Sequence, residues 1–178
     1  MAFWSNLLGY QATWLLTVWS AGRGMAWIGM LACVGFVIWQ WLASPVRSAD
    51  SLVLLAALAC GLLIDGGLAL SGWLQYASPE PALPAPLWIL LLWGAFALTL
   101  NHSMRWFSIR PWWAALFAGV GGPLAYLGAA RGFSAVTFPD DARAALLFLA
   151  LTWAAALPLL FRISRGSTRS AFRMERPA

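Results

Sequence analysis

The stretch PLWILLLWGAFALTLNHSMRW, residues 86–106, decides the fold class. Its first fifteen residues contain no charged side chain, which is typical of a helix that lies in the hydrocarbon of a bilayer. Asn101, His102 and Ser103 follow directly, and Arg105 comes two residues later. We therefore expect a membrane-spanning helix over about residues 86–104, with a polar end that reaches the membrane surface.

Five further apolar runs resemble this one. Each is long enough to cross about 30 Å of hydrocarbon at a rise of about 1.5 Å per residue. Short segments rich in Gly, Pro, Ser and Asp separate them and leave no room for a soluble domain. The sequence predicts an all-α polytopic membrane protein, a bundle of about six transmembrane helices forming one domain over residues 1–161. The five further spans are predicted at about 3–20, 25–43, 52–75, 111–130 and 144–161.

Composition and charge agree with this class. Hydrophobic residues make up 62% of the chain and charged residues 10%, whereas soluble domains carry about 25% charged residues. All 11 basic residues are arginines. If the N-terminus is inside, eight arginines lie in cytoplasmic segments and three in external ones, which is the usual bias. We expect a multi-pass protein with both termini in the cytoplasm.

Residues 162–178 are predicted to form an arginine-rich cytoplasmic tail. Five arginines recur there at helical spacing, so a continued helix would carry them all on one face. That face either anchors the topology against anionic lipid headgroups or docks a partner protein.

Asp65 is the one acidic residue predicted to lie deep in the membrane, on the third helix. A carboxyl group there is costly, so it should face the bundle interior and pair, be protonated or reach water. Tyr126 on the fifth helix lies at a similar depth, just after the sequence GVGGP, where we expect the helix to loosen. Trp93 on the fourth helix reaches the same depth. We expect these three residues to form an outer cluster, either a ligand site or a structural link between helices.

His102 lies at the other end of the predicted fourth helix. Helix geometry places it about 15 Å or more from Asp65, so these two residues should not pair. Asn101 precedes it, and Asn6 and Arg105 should lie near it. An amide, an imidazole and a guanidinium group either bind a phosphate or carboxylate headgroup, or only end the helix among wet headgroups.

Several classes of site are unsupported by the sequence. Cys33 and Cys60 match no metal motif, and one histidine is too few for a membrane di-iron or haem site. Nucleotide-binding and hydrolase motifs are absent from the sequence, as is a basic stripe with interleaved aromatics. We expect no metal, no cofactor and no nucleic-acid partner, and the sequence identifies no catalytic residue.

Three stretches resemble the DUF2878 family of small bacterial inner-membrane proteins over about residues 3–160. They are LLIDGGLALSGWLQY, PLWILLLWGAFALTLNHSMRW and RPWWAALFAGVGGPLAYLGAARG. The resemblance implies a multi-helix protein of the inner membrane of Gram-negative bacteria. Genes of such proteins tend to lie beside those of lipid-modifying enzymes, which implies a membrane-lipid role by association only.

The leading hypothesis for function is a protein that binds or helps to modify a membrane lipid or other amphiphile held between helices. Its partners would be a membrane lipid and, in addition, a membrane protein. One alternative is a small proton-coupled transporter in which Asp65 titrates. The other is a structural subunit of a larger membrane complex.

Overall fold

The computed structural model describes residues 3–79, 83–139 and 141–174, with side chains up to residue 166. Within these ranges the chain forms six α-helices, two short strands and one short 3-10 helix. The helices are α1 (Phe3–Ala21), α2 (Ala26–Ala43), α3 (Arg47–Leu70), α4 (Leu87–Leu100), α5 (Pro111–Phe133) and α6 (Arg143–Met174). The strands are β1 (Gln75–Tyr76) and β2 (Val136–Thr137), and the 3-10 helix is Arg105–Ile109.

The prediction of an all-helical protein is confirmed, but α3 is shifted toward the N-terminus. It begins at Arg47 and ends at Leu70, whereas the sequence predicted about 52–75. Asp50 lies in its first turn, where the helix dipole favours a negative charge. Gly72 has a positive φ of 72°, a conformation that ends the helix and turns the chain.

α4 is shorter than predicted. It follows Pro86 and ends at Leu100, so its 14 residues span about 21 Å rather than a full bilayer. Asn101 and His102 then lie in a turn, because the His102 N–H bonds to the Thr99 carbonyl in a tighter, three-residue pattern.

In the part of the chain that the structure describes, four helices are long and apolar enough to cross a membrane: α2, α3, α5 and residues 143–166 of α6. α4 is apolar but short. α1 is interrupted by polar residues such as Asn6, Gln11 and Thr13. The predicted number of about six transmembrane helices is therefore not confirmed.

α6 runs without a break through the predicted boundary between residues 161 and 162. The expected arginine-rich face lies mostly outside the described residues, because side chains from residue 167 and the whole of residues 175–178 are not described.

α4 is the central helix of the bundle. It is apolar on every side, and residues from Leu92 to Leu100 are all buried, which is typical of a helix enclosed by others. α4 packs directly on α1, α2 and α3. The outer helices pair as α1 with α2, α3 with α6 and α6 with α5. α1 and α5 make little contact with each other, as do α2 and α3.

Two strands cover one end of the bundle. Gln75 pairs with Thr137 and Tyr76 with Val136 in an antiparallel ribbon, which joins the α3–α4 connection to the α5–α6 connection. The Trp88 indole N–H donates to the Ala77 carbonyl over 2.9 Å and holds the ribbon on α4. We call this end the strand end, and the other end, where α1 begins, the opposite end.

The crossing of α1 and α2 depends on Gly29. A Cβ atom at this position would lie 2.5 Å from the Thr17 Cα, closer than any real contact. The Gly29 N–H donates to the Ser20 hydroxyl over 3.1 Å, so the close approach also supplies a partner for an N-terminal amide of α2. Small residues at such crossings let two backbones pack closely.

Gly29→Ala is therefore expected to lower the free energy of unfolding by about 1–3 kcal/mol, since neither backbone can yield without separating the helices. Gly35→Ala, on the same helix, is the matched control because a Cβ there meets nothing within 4 Å. Thermal unfolding of both variants in mild detergent measures the difference. Equal midpoints for the two variants would show that the crossing tolerates a methyl group.

Candidate functional site

The Asp65 carboxylate lies at the centre of a buried cluster near the strand end. Its Oδ1 accepts hydrogen bonds from the Tyr76 hydroxyl over 2.7 Å and from the Tyr126 hydroxyl. Its Oδ2 accepts from the Trp93 indole N–H over 2.6 Å. Asp65, Tyr76, Trp93 and Tyr126 are all buried and are called the Asp65 cluster below. The structure thus brings together the three residues predicted from depth and adds a fourth.

Glycines let the large aromatic side chains reach their places around Asp65. Gly61 lies one turn before Asp65 on α3, and a Cβ there would be 2.5 Å from the Trp93 ring. Gly122 plays the same part on α5, where a Cβ would be 2.6 Å from the ring of Trp153. α5 is one continuous helix through Pro123, so the helix is not broken at this point, although proline supplies no backbone N–H there.

Tyr76 was missed in the sequence analysis because the third helix was predicted to run to residue 75. The chain instead turns at Gly72, and β1 folds Tyr76 back over the end of α3. Burial, and then the nearby Asp65 carboxylate, raise the pKa of the Tyr76 phenol well above its usual range. Tyr76 therefore stays protonated and acts as a hydrogen-bond donor to Asp65.

A cavity of about 390 Å³ lies between α4 and α5. α1 forms one side, and Trp153 of α6 closes the other. Tyr126 and Trp93 line the cavity, whereas Asp65 does not and lies behind them. The carboxylate therefore fixes two side chains of the cavity wall and does not itself face the cavity.

The wall of the cavity is largely aromatic. The rings of Trp93 and Trp153 are stacked, with centroids 4.3 Å apart and an angle of 19° between their planes. Phe96 meets Trp153 edge to face with ring centroids 5.4 Å apart, and the Tyr10 ring centroid lies 5.8 Å from that of Phe96. Such a wall offers dispersion contacts and flat faces to an apolar or conjugated molecule.

A second polar group lies at the opposite end of the bundle. The Asn101 amide donates to Asp50 Oδ1 over 2.8 Å, and His102 Nε2 lies 3.1 Å from Asp50 Oδ2. The Ser164 hydroxyl of α6 donates to the Asn101 carbonyl oxygen. The partner of His102 is thus Asp50, which sequence analysis missed because it placed Asp50 in a connection before the third helix.

Asn6 is close to this group but has no free hydrogen-bonding capacity. Its amide nitrogen donates to the Gln40 side chain over 2.7 Å and to the Leu98 carbonyl over 3.0 Å. Its carbonyl oxygen accepts from both the backbone N–H and the hydroxyl of Ser103. All the usual bonds of an amide are made within the protein, so Asn6 links α1, α2 and the end of α4.

The side chain of Arg105 makes no hydrogen bond to the side chain of Asn6 or of His102. Arg105 is exposed on the 3-10 helix. The expected site of an amide, an imidazole and a guanidinium group is therefore not assembled in this structure.

Asp65→Asn is expected to lower the free energy of unfolding by about 1–3 kcal/mol. If the new amide nitrogen points at Trp93, it faces the indole N–H, which cannot accept. If it points at the two tyrosines, their hydroxyls must accept from it and their own protons lose Asp65 as an acceptor. Asp141→Asn is the control, because Asp141 is exposed and an amide oxygen can still accept from the Arg143 N–H. Chemical denaturation in detergent gives both values, and unchanged stability of Asp65→Asn would show that the three bonds are not needed.

Comparison with known proteins places the chain in a family. No curated protein and no solved structure is detectably similar to it. The family model described as "Protein of unknown function (DUF2878)" matches residues 3–159, which is most of the chain. The resemblance seen in three sequence stretches is thereby confirmed, and the chain belongs to the DUF2878 family.

Proposed function

We propose that this protein is a multi-pass protein of the bacterial inner membrane that binds a membrane lipid or another amphiphile between its helices. The observation that carries the proposal is the cavity between α1, α4 and α5. At about 390 Å³ it falls within the usual range for small-molecule sites, about 300–1,000 Å³. Its aromatic and aliphatic wall suits a hydrocarbon tail.

The cavity also has a lateral opening through which a lipid can enter. Gln11 on α1, and Phe117 and Leu124 on α5, line the cavity and are exposed on the outside of the bundle. Because α1 and α5 make few contacts with each other, this opening lies on the side of the bundle, between α1 and α5, rather than at the strand end or the opposite end. In a bilayer, this opening would face the acyl chains directly.

A proton-coupled transporter is less well supported. Titration of Asp65 during transport needs a water path to the carboxylate. Asp65 is fully buried, and both its oxygens accept hydrogen bonds from side chains that cover it. The third alternative, a structural subunit, would use the exposed apolar faces of the outer helices, which a lipid environment explains equally well.

The proposed topology places the strand end outside and both termini in the cytoplasm. By element order, the strand end receives three arginines, at positions 23, 131 and 143. The opposite end receives five arginines whose side chains are described, at 47, 105, 110, 162 and 165, and α6 carries two more at 169 and 173. This is the positive-inside bias. α4 can be short in this topology because other helices surround it.

Cysteine labelling tests this topology in a variant whose Cys33 and Cys60 are replaced by Ala. Thr137→Cys lies in β2 at the strand end, and Ser108→Cys lies in the 3-10 helix at the opposite end. In intact cells with a permeabilised outer membrane, an impermeant maleimide should label Thr137→Cys and leave Ser108→Cys unlabelled. The reverse pattern would overturn the orientation.

Binding itself is tested by filling the cavity. Gly121 lines the cavity, and a Cβ there meets nothing within 4 Å, so Gly121→Leu projects into open space without displacing protein atoms near the backbone. Gly132→Leu is the matched control, because Gly132 is on the same helix, is equally uncrowded and does not line the cavity.

Native mass spectrometry of the purified protein, followed by lipid extraction, reports what each form retains. We expect one defined lipid class with the wild type and with Gly132→Leu, and its loss with Gly121→Leu. The same retention in all three forms would contradict binding in this cavity. A second polypeptide that co-purifies in place of a lipid would favour the structural subunit.

A further inference from the structure

The residues that line the cavity are all uncharged. They comprise aromatic, aliphatic and glycine residues together with one glutamine. A charged group brought into such a wall would lose its hydration without gaining an ionic partner, at a cost of several kcal/mol. The part of a ligand that the cavity encloses is therefore uncharged.

The wall nevertheless presents polar groups that the described part of the protein does not satisfy. The Trp153 indole N–H is buried and lies near the Tyr126 hydroxyl, but makes no hydrogen bond of normal geometry there. The half-buried Tyr10 hydroxyl likewise has no hydrogen-bond partner within residues 3–79, 83–139 and 141–174. Both side chains line the cavity, as does the exposed Gln11 at its opening. A buried donor without a partner, such as the Trp153 N–H, is rare in native interiors, and water is scarce in hydrocarbon, so these groups point to a ligand.

We infer that the cavity binds an uncharged lipid group that carries an oxygen acceptor, such as the carbonyl of an ester or a quinone. The Tyr10 hydroxyl and the Trp153 N–H would donate to this oxygen. This inference rests on the proposed function and specifies its ligand. An unsubstituted hydrocarbon would leave both donors unpaired, which disfavours it by the cost of two lost hydrogen bonds.

The arrangement of the rings fits a group of this kind. The rings of Tyr10 and Trp153 both contact Phe96, with centroids 5.8 Å and 5.4 Å from it, so the two side chains belong to the same part of the wall. Trp93 stacks on Trp153 and is itself fixed by its hydrogen bond to Asp65. The Asp65 cluster thus holds Trp153 indirectly, and a rigid wall presents the donors at little entropic cost.

Three probes distinguish the possible sources of the oxygen. They are the methyl ester of a sixteen-carbon fatty acid, the unsubstituted alkane of the same length and a quinone with a short isoprenoid tail. The free fatty acid serves as an anionic fourth probe. Affinity is measured for the full-length protein in detergent by titration, followed by native mass spectrometry and by the shift in thermal midpoint.

Two conservative variants remove one donor each: Tyr10→Phe and Trp153→Phe. Both keep an aromatic ring at the position. Tyr10→Phe removes only the hydroxyl, whereas Trp153→Phe also shortens the ring that stacks on Trp93. Trp112→Phe is the control for loss of an indole, because Trp112 is highly exposed and does not line the cavity. One neutral hydrogen bond corresponds to a change of about 2- to 10-fold in affinity.

We expect the ester or the quinone to bind the wild type more tightly than the alkane and the free fatty acid. The tighter of the two identifies the source of the oxygen. Tyr10→Phe and Trp153→Phe should each weaken that probe by about 2- to 10-fold and leave alkane binding unchanged. If either variant fails to fold, the other still tests the inference.

Other outcomes separate the inference from the proposed function. Equal binding of the alkane and the oxygen-bearing probes, unaffected by both variants, would overturn the inference and leave lipid binding intact. Tighter binding of the anionic fatty acid would also overturn it. Binding of no probe, with no lipid retained by the wild type, would overturn both.

Discussion

The hydrogen bonds of the Asp65 carboxylate organise the strand end of this protein. They join α3 to three other elements, namely β1 through Tyr76, α4 through Trp93 and α5 through Tyr126. A carboxyl group in an apolar bundle is costly unless its oxygens are satisfied, and three donors from three elements satisfy them. The cost is offset only when all of these elements are in place. The interaction therefore specifies their arrangement and also shapes one wall of the cavity.

The space between α4 and α5 follows from the way the remaining helices pack. α4 makes its close contacts with α1, α2 and α3, while α5 packs mainly on α6. Large aromatic side chains reach into the gap from α4 and α6, and Gly61 and Gly122 make room for their rings beside the backbone. The rings fill part of the gap and leave about 390 Å³ open. The cavity is therefore bounded by fixed side chains and is not a result of loose packing.

Sequence patterns were sufficient for the class of fold and for most of the Asp65 cluster. Long uncharged runs gave six helices, and counting residues from each predicted end placed Asp65, Trp93 and Tyr126 at one depth. The boundaries of α3 were wrong by about one turn, because hydropathy does not detect a polar first turn that is still helical. Because of this error, neither Asp50 as the partner of His102 nor Tyr76 as a donor to Asp65 was predicted. Which helices enclose a cavity depends on side-chain packing between distant segments, which periodicity does not report.

The histidine end and the cavity wall differ in whether their unpartnered polar atoms lie beside open space. At the opposite end, Asn6 uses both its amide nitrogen and its carbonyl oxygen within the protein, and Asp50 accepts from Asn101 while contacting His102. These groups tie helices together, and the buried Gln40 Nε2 beside Asn6, which has no hydrogen-bond partner among the described residues, does not line the cavity. In the cavity wall, the buried Trp153 N–H has no hydrogen-bond partner, and the half-buried Tyr10 hydroxyl has none among the described residues. A stable bundle does not need such donors there, whereas recognition of an oxygen atom on a lipid does. The cavity, where unpartnered polar groups lie beside open space, is therefore a better candidate for a functional site than the histidine end.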